Sequence, residues 1–100
     1  MKIDILAIGA HPDDVELSCA GTLAKEIANG KQVAILDLTQ GELGTRGTAK
    51  IRANEAKDAA KVLGVTARYN LNFVDGFFKN DKDHQLQLAT YIRFLKPDII

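Results

Sequence analysis

Two short apolar runs, Ile3 to Ile8 and Val33 to Leu38, each end where a strand cannot continue: at Gly9 in the first case, at the polar stretch Thr39 to Thr48 in the second. Residues apolar at consecutive rather than alternate positions mark strands covered on both faces, as in a parallel sheet. Parallel neighbours need a crossover connection, usually a helix. The intervening segment supplies one: Leu17, Ala20, Gly21, Ala24, Ile27 and Ala28 recur at helical spacing, and Gly30 after Asn29 is a natural stop.

The pattern then repeats. Thr48 is suited to cap a second helix, Ala56, Ala59, Ala60 and Leu63 follow at i, i+3, i+4 and i+7, and Gly64 ends it, so an alanine face is expected close on the sheet. Ala67 to Phe73 reads as a third strand, Asp75 to Lys82 as loop, and Leu88, Ala89, Ile92 and Leu95 as a third helix before Pro97. The expected class is α/β, a doubly wound, mostly parallel, Rossmann-like sheet with helices on both faces. Asp98, Ile99 and Ile100 have the character of a fourth strand's first residues. Residues 1–100 are therefore expected to be the N-terminal portion of a single domain, with further strands beyond.

Thirteen basic and thirteen acidic residues cancel, so no global field favours nucleic acid or an anionic membrane, and a small ligand is the expected partner. Self-association into a homo-oligomer stays open. The single cysteine, Cys19, rules out an intramolecular disulfide and a C-x-x-C site, which favours a reducing, cytoplasmic setting. The N-terminal apolar run, interrupted by Asp4, is too short for a signal sequence or a membrane span.

In open α/β sheets ligands bind beyond the carboxyl ends of the strands. The loop leaving the first strand reads Gly9-Ala10-His11-Pro12-Asp13-Asp14-Val15-Glu16. An imidazole beside carboxylates suits zinc, with other divalent ions able to take its place. Pro12 restricts the backbone between His11 and Asp14, which could then reach one ion from the same side, while Asp13 could accept a proton from a metal-bound water. A catalytic site of this kind needs one further ligand. Either aspartate could instead cap the following helix, and spacing alone does not choose between the two roles. The rival fold-level reading is a nucleotide-binding module without hydrolase activity. It has Asp37 in the place of a ribose-binding acid, but the loop has Gly9 and Gly21 where G-x-G-x-x-G would be required.

The stretch AHPDDVE, followed by GTLAKEIANGKQVAILDLTQGELGTRGT and IRANEAKDAAKVLGV, resembles the LmbE-like (PIG-L) deacetylases, most closely the bacillithiol biosynthesis deacetylases. The loop Thr39 to Thr48 carries the likeness to the bacillithiol branch. The resemblance implies zinc-dependent removal of acetate from an N-acetylglucosamine conjugate, N-acetylglucosaminyl-malate in that branch. It implies His11 and Asp14 as zinc ligands, Asp13 as general base, and Arg52 as a substrate-binding residue. Without the resemblance, Arg52 would read as a surface arginine paired with Glu55. A third ligand, a histidine in an H-P-D-H-like stretch after the fourth strand, and a second, oxyanion-stabilising histidine are implied beyond Ile100, so residues 1–100 are expected to carry half a site and to be inactive alone. His84, among charged neighbours at a helix start, reads as a solvated histidine and no substitute. Cys19 reads as a small packing residue. Phe73, Phe77 and Phe78 read as loop packing, with sugar stacking as the alternative.

Overall fold

The computed structural model describes residues 1–100. Strand and helix alternate as β1 (Ile5–Gly9), α1 (Asp14–Ala28), β2 (Val33–Thr39), α2 (Ala49–Leu63), β3 (Ala67–Phe73) and α3 (Lys82–Leu95). The strands are parallel in the order β1-β2-β3. Beyond α3 the chain returns to the free side of β1, where Ile99 bridges in parallel to Ile5 and the Leu6 N–H donates to the Ile99 carbonyl at 2.9 Å.

Period-2 alternation sorts the side chains. Leu6, Ala34 and Leu36 pack with Leu88, Ile92 and Leu95 of α3 on one face. Val33 and Ile35 pack with Val15, Leu23 and Ile27 of α1 and Leu63 of α2 on the other. The doubly wound α/β class expected from the alternation is the one observed. No helix is long and apolar enough to cross a membrane.

Two details differ from expectation. The core stripe of α1 is Val15, Cys19, Leu23 and Ile27, while Leu17 is 82% exposed and Gly21, Ala24 and Ala28 face solvent. The cause is local: Cys19 leaves helical geometry (φ −144°, ψ 17°), and the resulting kink lets steps of four keep facing the sheet. On α2 only Ala56 of the alanine face is buried, with Ala59, Ala60 and Leu63 partly covered, because that helix overhangs β3, the outermost strand.

Caps fix the helix starts. The Thr48 hydroxyl oxygen accepts from the Ile51 N–H at 3.1 Å, and Asp81 Oδ1 accepts from the His84 N–H at 3.0 Å. Thr48→Ala should lower unfolding stability by about 1 kcal/mol in denaturant titration, and an unchanged midpoint would remove the cap from the account. The His84 N–H, then its ring, hold the Asp81 carboxyl below its ordinary value. A depressed folded pKa means that the unfolded state takes up the proton first, so this contribution is present above the ordinary carboxylate range and lost as pH falls through the folded value. Asp81→Asn keeps an acceptor but removes the titration. The difference in thermal midpoint between wild type and this variant should therefore shrink on acidification, and a gap independent of pH would contradict the assignment.

Candidate active site

The β1–α1 loop is folded tightly at its start, where glycine fits best. A Cβ on Gly9 would stand 3.1 Å from Asp14 Cβ and 3.2 Å from Val15 Cγ2, tight contacts that would press the first turn of α1 away from the strand end by a few tenths of an ångström. The Thr39 N–H and hydroxyl both donate to the Ala10 carbonyl, at 3.0 and 2.9 Å, and tie the loop to the end of β2. The Asp13 and Asp14 N–H groups both lie on the His11 carbonyl, and Asp14 Oδ2 accepts from the His11 N–H at 2.9 Å. Asp13 occupies the N-cap position of α1, yet its side chain makes no capping hydrogen bond.

His11 is held at both ring nitrogens. Nε2 lies 2.8 Å from Asp75 Oδ1, and Nδ1 lies 3.3 Å from Asp14 Oδ2. Asp75, just past β3, is itself fixed: its Oδ2 accepts from the Leu43 N–H at 3.0 Å, and its own N–H donates to Glu42 Oε2 at 3.0 Å. The Leu43 N–H, with His11 and the Arg52 charge, holds the Asp75 carboxyl below its ordinary value. An ionised Asp75 can only accept, so Nε2 carries the proton, and in the neutral ring Nδ1 presents its lone pair to Asp14. Burial works against a charge on His11, but the hydrogen bond and charge of Asp75, reinforced by Asp14, outweigh it and raise the His11 pKa.

Two acceptors facing each other across 3.3 Å are stable only with something positive between them, a proton or a metal ion. Two ligands of a tetrahedral zinc ion, each ~2.1 Å from it, lie roughly 3.4 Å apart, so the pair fits the ion in both chemistry and spacing. No third His, Cys, Asp or Glu converges on that point. Asp75 touches the far side of the His11 ring and orients it rather than completing a ligand set, the arrangement common behind metal-bound histidines.

Arg52, from the first turn of α2, does not pair with Glu55. Its Nη1 donates to the Gly41 carbonyl at 3.0 Å and its Nη2 stands 3.4 Å from Asp13 Oδ1. Gly41 (φ +65°) makes the room: a Cβ there would fall 2.1 Å from Nη1. His11, Asp13, Leu43, Gly44, Arg52 and Asp75 line one open cavity of about 430 Å³. The structure thus brings three of the expected residues, His11, Asp13 and Arg52, to one cavity, with Asp14 behind His11, and adds Asp75. A larger groove of about 530 Å³ between α2 and β3 has alanines along its α2 wall, and its one carboxylate, Asp37, is already tied to Arg68.

The other candidates fall outside the cavity. Asp37, the would-be ribose acid, is buried with both oxygens bonded to Arg68, which removes the feature on which the nucleotide reading stood. His84 is half-buried rather than solvated, with its ring edge-on to Phe73 at 4.5 Å and its Nδ1 on Asp81. Phe73 and Phe78 pack together at 5.5 Å, whereas Phe77 is exposed. Cys19 packs against the α1 side of the core. Asp75 is the cavity residue whose place in the sequence reads only as the start of a loop. The signal was available, since it is an acid just past a strand's carboxyl end.

Residues 6–100 match the PIG-L family, GlcNAc-PI de-N-acetylase. Diacetylchitobiose deacetylase of Thermococcus kodakarensis is 32% identical over 96% of this chain and 39% of its own length. The structure of the conserved protein TT1542 from Thermus thermophilus superposes with a TM-score of 0.91 at 43% identity, covering 97% of this chain and 44% of that one. The N,N'-diacetylchitobiose deacetylase from Pyrococcus horikoshii gives 0.89 at 30% identity, covering 98% and 39%. The chain spans less than half the length of these relatives.

The Asp75–His11 contact predicts a defined tautomer. In metal-free protein at about pH 9, above histidine's ordinary range, nitrogen NMR should find His11 protonated on Nε2. Asp75→Asn, which can present an N–H instead, should populate the Nδ1-protonated form. An identical His11 spectrum in the variant would rule out Asp75 as the orienting group.

Proposed function

Because the chain belongs to the PIG-L (GlcNAc-PI de-N-acetylase) family, we propose that the protein hydrolyses the acetamide of an N-acetylglucosamine conjugate to acetate and a free amine. The observation that carries this reading is the His11–Asp14 pair, two acceptors 3.3 Å apart, of which His11 lines a cavity that also holds an unused carboxylate, Asp13, and a guanidinium, Arg52. The names of relatives that act on acetamido sugars support the substrate class.

His11 Nδ1 and Asp14 Oδ2 would hold a divalent ion, zinc in this proposal. Such an ion supplies polarisation of the acetyl carbonyl and a water acidic enough to lose a proton near neutrality. Asp13, half-exposed to the cavity and free of any capping bond, is placed to act as the base: it would accept a proton from the attacking water and could return it to the departing amine nitrogen as the C–N bond breaks. Arg52, braced on the Gly41 carbonyl, offers its remaining N–H groups to substrate oxygens and holds the Asp13 carboxylate in place. Asp75 keeps the proton on Nε2, so that the Nδ1 lone pair stays available.

Within this class we assign N-acetylglucosaminyl-malate as substrate, on the resemblance of the Thr39 to Thr48 loop to the bacillithiol branch, and a cytoplasmic setting to match. Residues 1–100 are then the N-terminal portion of one deacetylase domain, whose third ligand falls to sequence beyond Ile100.

In the intact protein Asp14→Ala and Asp13→Asn should fail differently. Asp14→Ala should lose bound metal and activity together. Asp13→Asn keeps the shape but not the basicity, so metal should remain while turnover on an N-acetylglucosamine conjugate falls roughly 10²- to 10⁴-fold. Near-normal turnover in Asp13→Asn at full metal content would remove Asp13 from the role of base, whereas absence of metal from the wild type would overturn the metal-centre reading itself.

A further inference from the structure

Behind the cavity, on the α1–α2 side of the sheet, lies a charged cluster to which the reaction gives no part. Arg68 of β3 is almost fully buried, its side chain 8% exposed, between Asp37 of β2 and Glu16 in the first turn of α1. Nε and Nη2 donate to the two oxygens of Asp37 at 2.8 and 3.1 Å. Nη1 and Nη2 donate to the two oxygens of Glu16 at 3.0 and 3.1 Å, and Nη1 also reaches the Ala56 carbonyl of α2 at 3.3 Å. A guanidinium has five N–H donors, and here five acceptors take them.

We propose that Arg68 is a positioning residue for the metal pair: through Glu16 it sets where the first turn of α1, and so Asp14 two residues earlier, stands against the end of β2. This rests on the metal-centre reading above. Burying one cation between two carboxylates is a poor source of net stability, since well-packed apolar side chains in the same space do as well or better. What a doubly bidentate guanidinium provides is direction, because its planar fork fixes two carboxylates relative to each other, as a lysine ammonium cannot. The elements it joins are two of those whose ends form the site. Asp37 lies two residues before Thr39, which clamps the Ala10 carbonyl, and Glu16 lies two residues after Asp14. Burial pushes the Asp37 carboxyl up, with Arg68 opposing and the charges of Glu16 and Asp14 adding to the rise, so the Asp14 charge is felt inside the cluster.

The test is metal affinity rather than turnover. In the intact protein, stripped of metal and titrated with Zn2+ against a chromophoric chelator, Arg68→Lys and Glu16→Gln should each weaken binding by about 10- to 100-fold. Glu16→Gln serves should Arg68→Lys not fold, since the Glu16 side chain is partly exposed. The double variant should be no weaker than the worse single one, because both remove one contact. A cluster that only stabilises the fold would lower the thermal midpoint and leave the metal dissociation constant within about twofold of wild type, and that result overturns the proposal. Losses that multiply in the double variant overturn the route through Glu16. Wild type that binds no Zn2+ overturns the metal-centre reading and this inference with it, an outcome distinct from a tight wild type with equally tight variants.

Discussion

β2 is paired along both edges and covered on both faces, so nothing that points from it can be left to water. Val33 to Asp37 are all buried, and Thr39 at the strand's end is closed off as well. The apolar members meet this constraint by packing, while Asp37 and Thr39 meet it by drawing partners to themselves. Asp37 requires a cation and takes Arg68 from β3, and the Thr39 hydroxyl takes the Ala10 carbonyl from the β1–α1 loop. No buried side-chain polar atom is left without a partner. The polar residues of the central strand thus determine where its neighbours' carboxyl ends stand.

The candidate site is the sum of three such strand ends. β1 contributes His11, Asp13 and Asp14, the loop after β2 contributes the Leu43 N–H and the Gly41 carbonyl, and β3 contributes Asp75. A register shift between β2 and β3 brings the last of these within reach. Asp37 pairs with Asn70 but Thr39 with Phe73, so β3 spends one extra residue, and Asn72 takes the left-handed conformation (φ +57°) that asparagine tolerates well. Asn70 secures the irregularity, donating to the Thr39 carbonyl and accepting from the Asn72 N–H. The bulge bends the strand end toward the cavity, and Asp75 follows.

What the sequence made legible is what local periodicity and strand-end position encode. The strands, the helices, the Thr48 cap and the Gly64 stop were readable, and so was the gathering of His11, Asp13 and Arg52, the last only through family resemblance. The buried stripe of α1 was not, because the kink at Cys19 changes the phase without any proline or glycine at that position to announce it. Asp75 offered one signal, its place just past a strand's end, but nothing that named its contacts. Its partners His11, Leu43 and Glu42 lie 32 to 64 residues away, and a β-bulge carries no hydrophobic pattern from which its effect on direction could be read. The Arg68 cluster was likewise invisible, since an arginine in the strand Ala67–Phe73 reads as a solvent-facing residue until a buried acid on the next strand is known to face it.

The two adjacent aspartates show how backbone geometry sets identical side chains in different surroundings. Asp14 begins the helix, and the turn that Gly9 permits brings its carboxylate back onto the His11 N–H and beside the His11 ring, so that it is committed to the loop's own geometry. Asp13, one residue earlier and outside helical geometry (φ 173°, ψ −16°), stands where a capping side chain normally satisfies a helix N–H, but it leaves that bond unmade. A cap forgone costs about 1 kcal/mol, and its carboxylate remains half-exposed in the cavity with only Arg52 at 3.4 Å for company. A ligand must be immobile, whereas a base must be accessible and able to change its proton count without unfolding what it holds. Asp14 has the first property and Asp13 the second, and the proposed assignment of ligand and base rests on which of the two the backbone has left uncommitted.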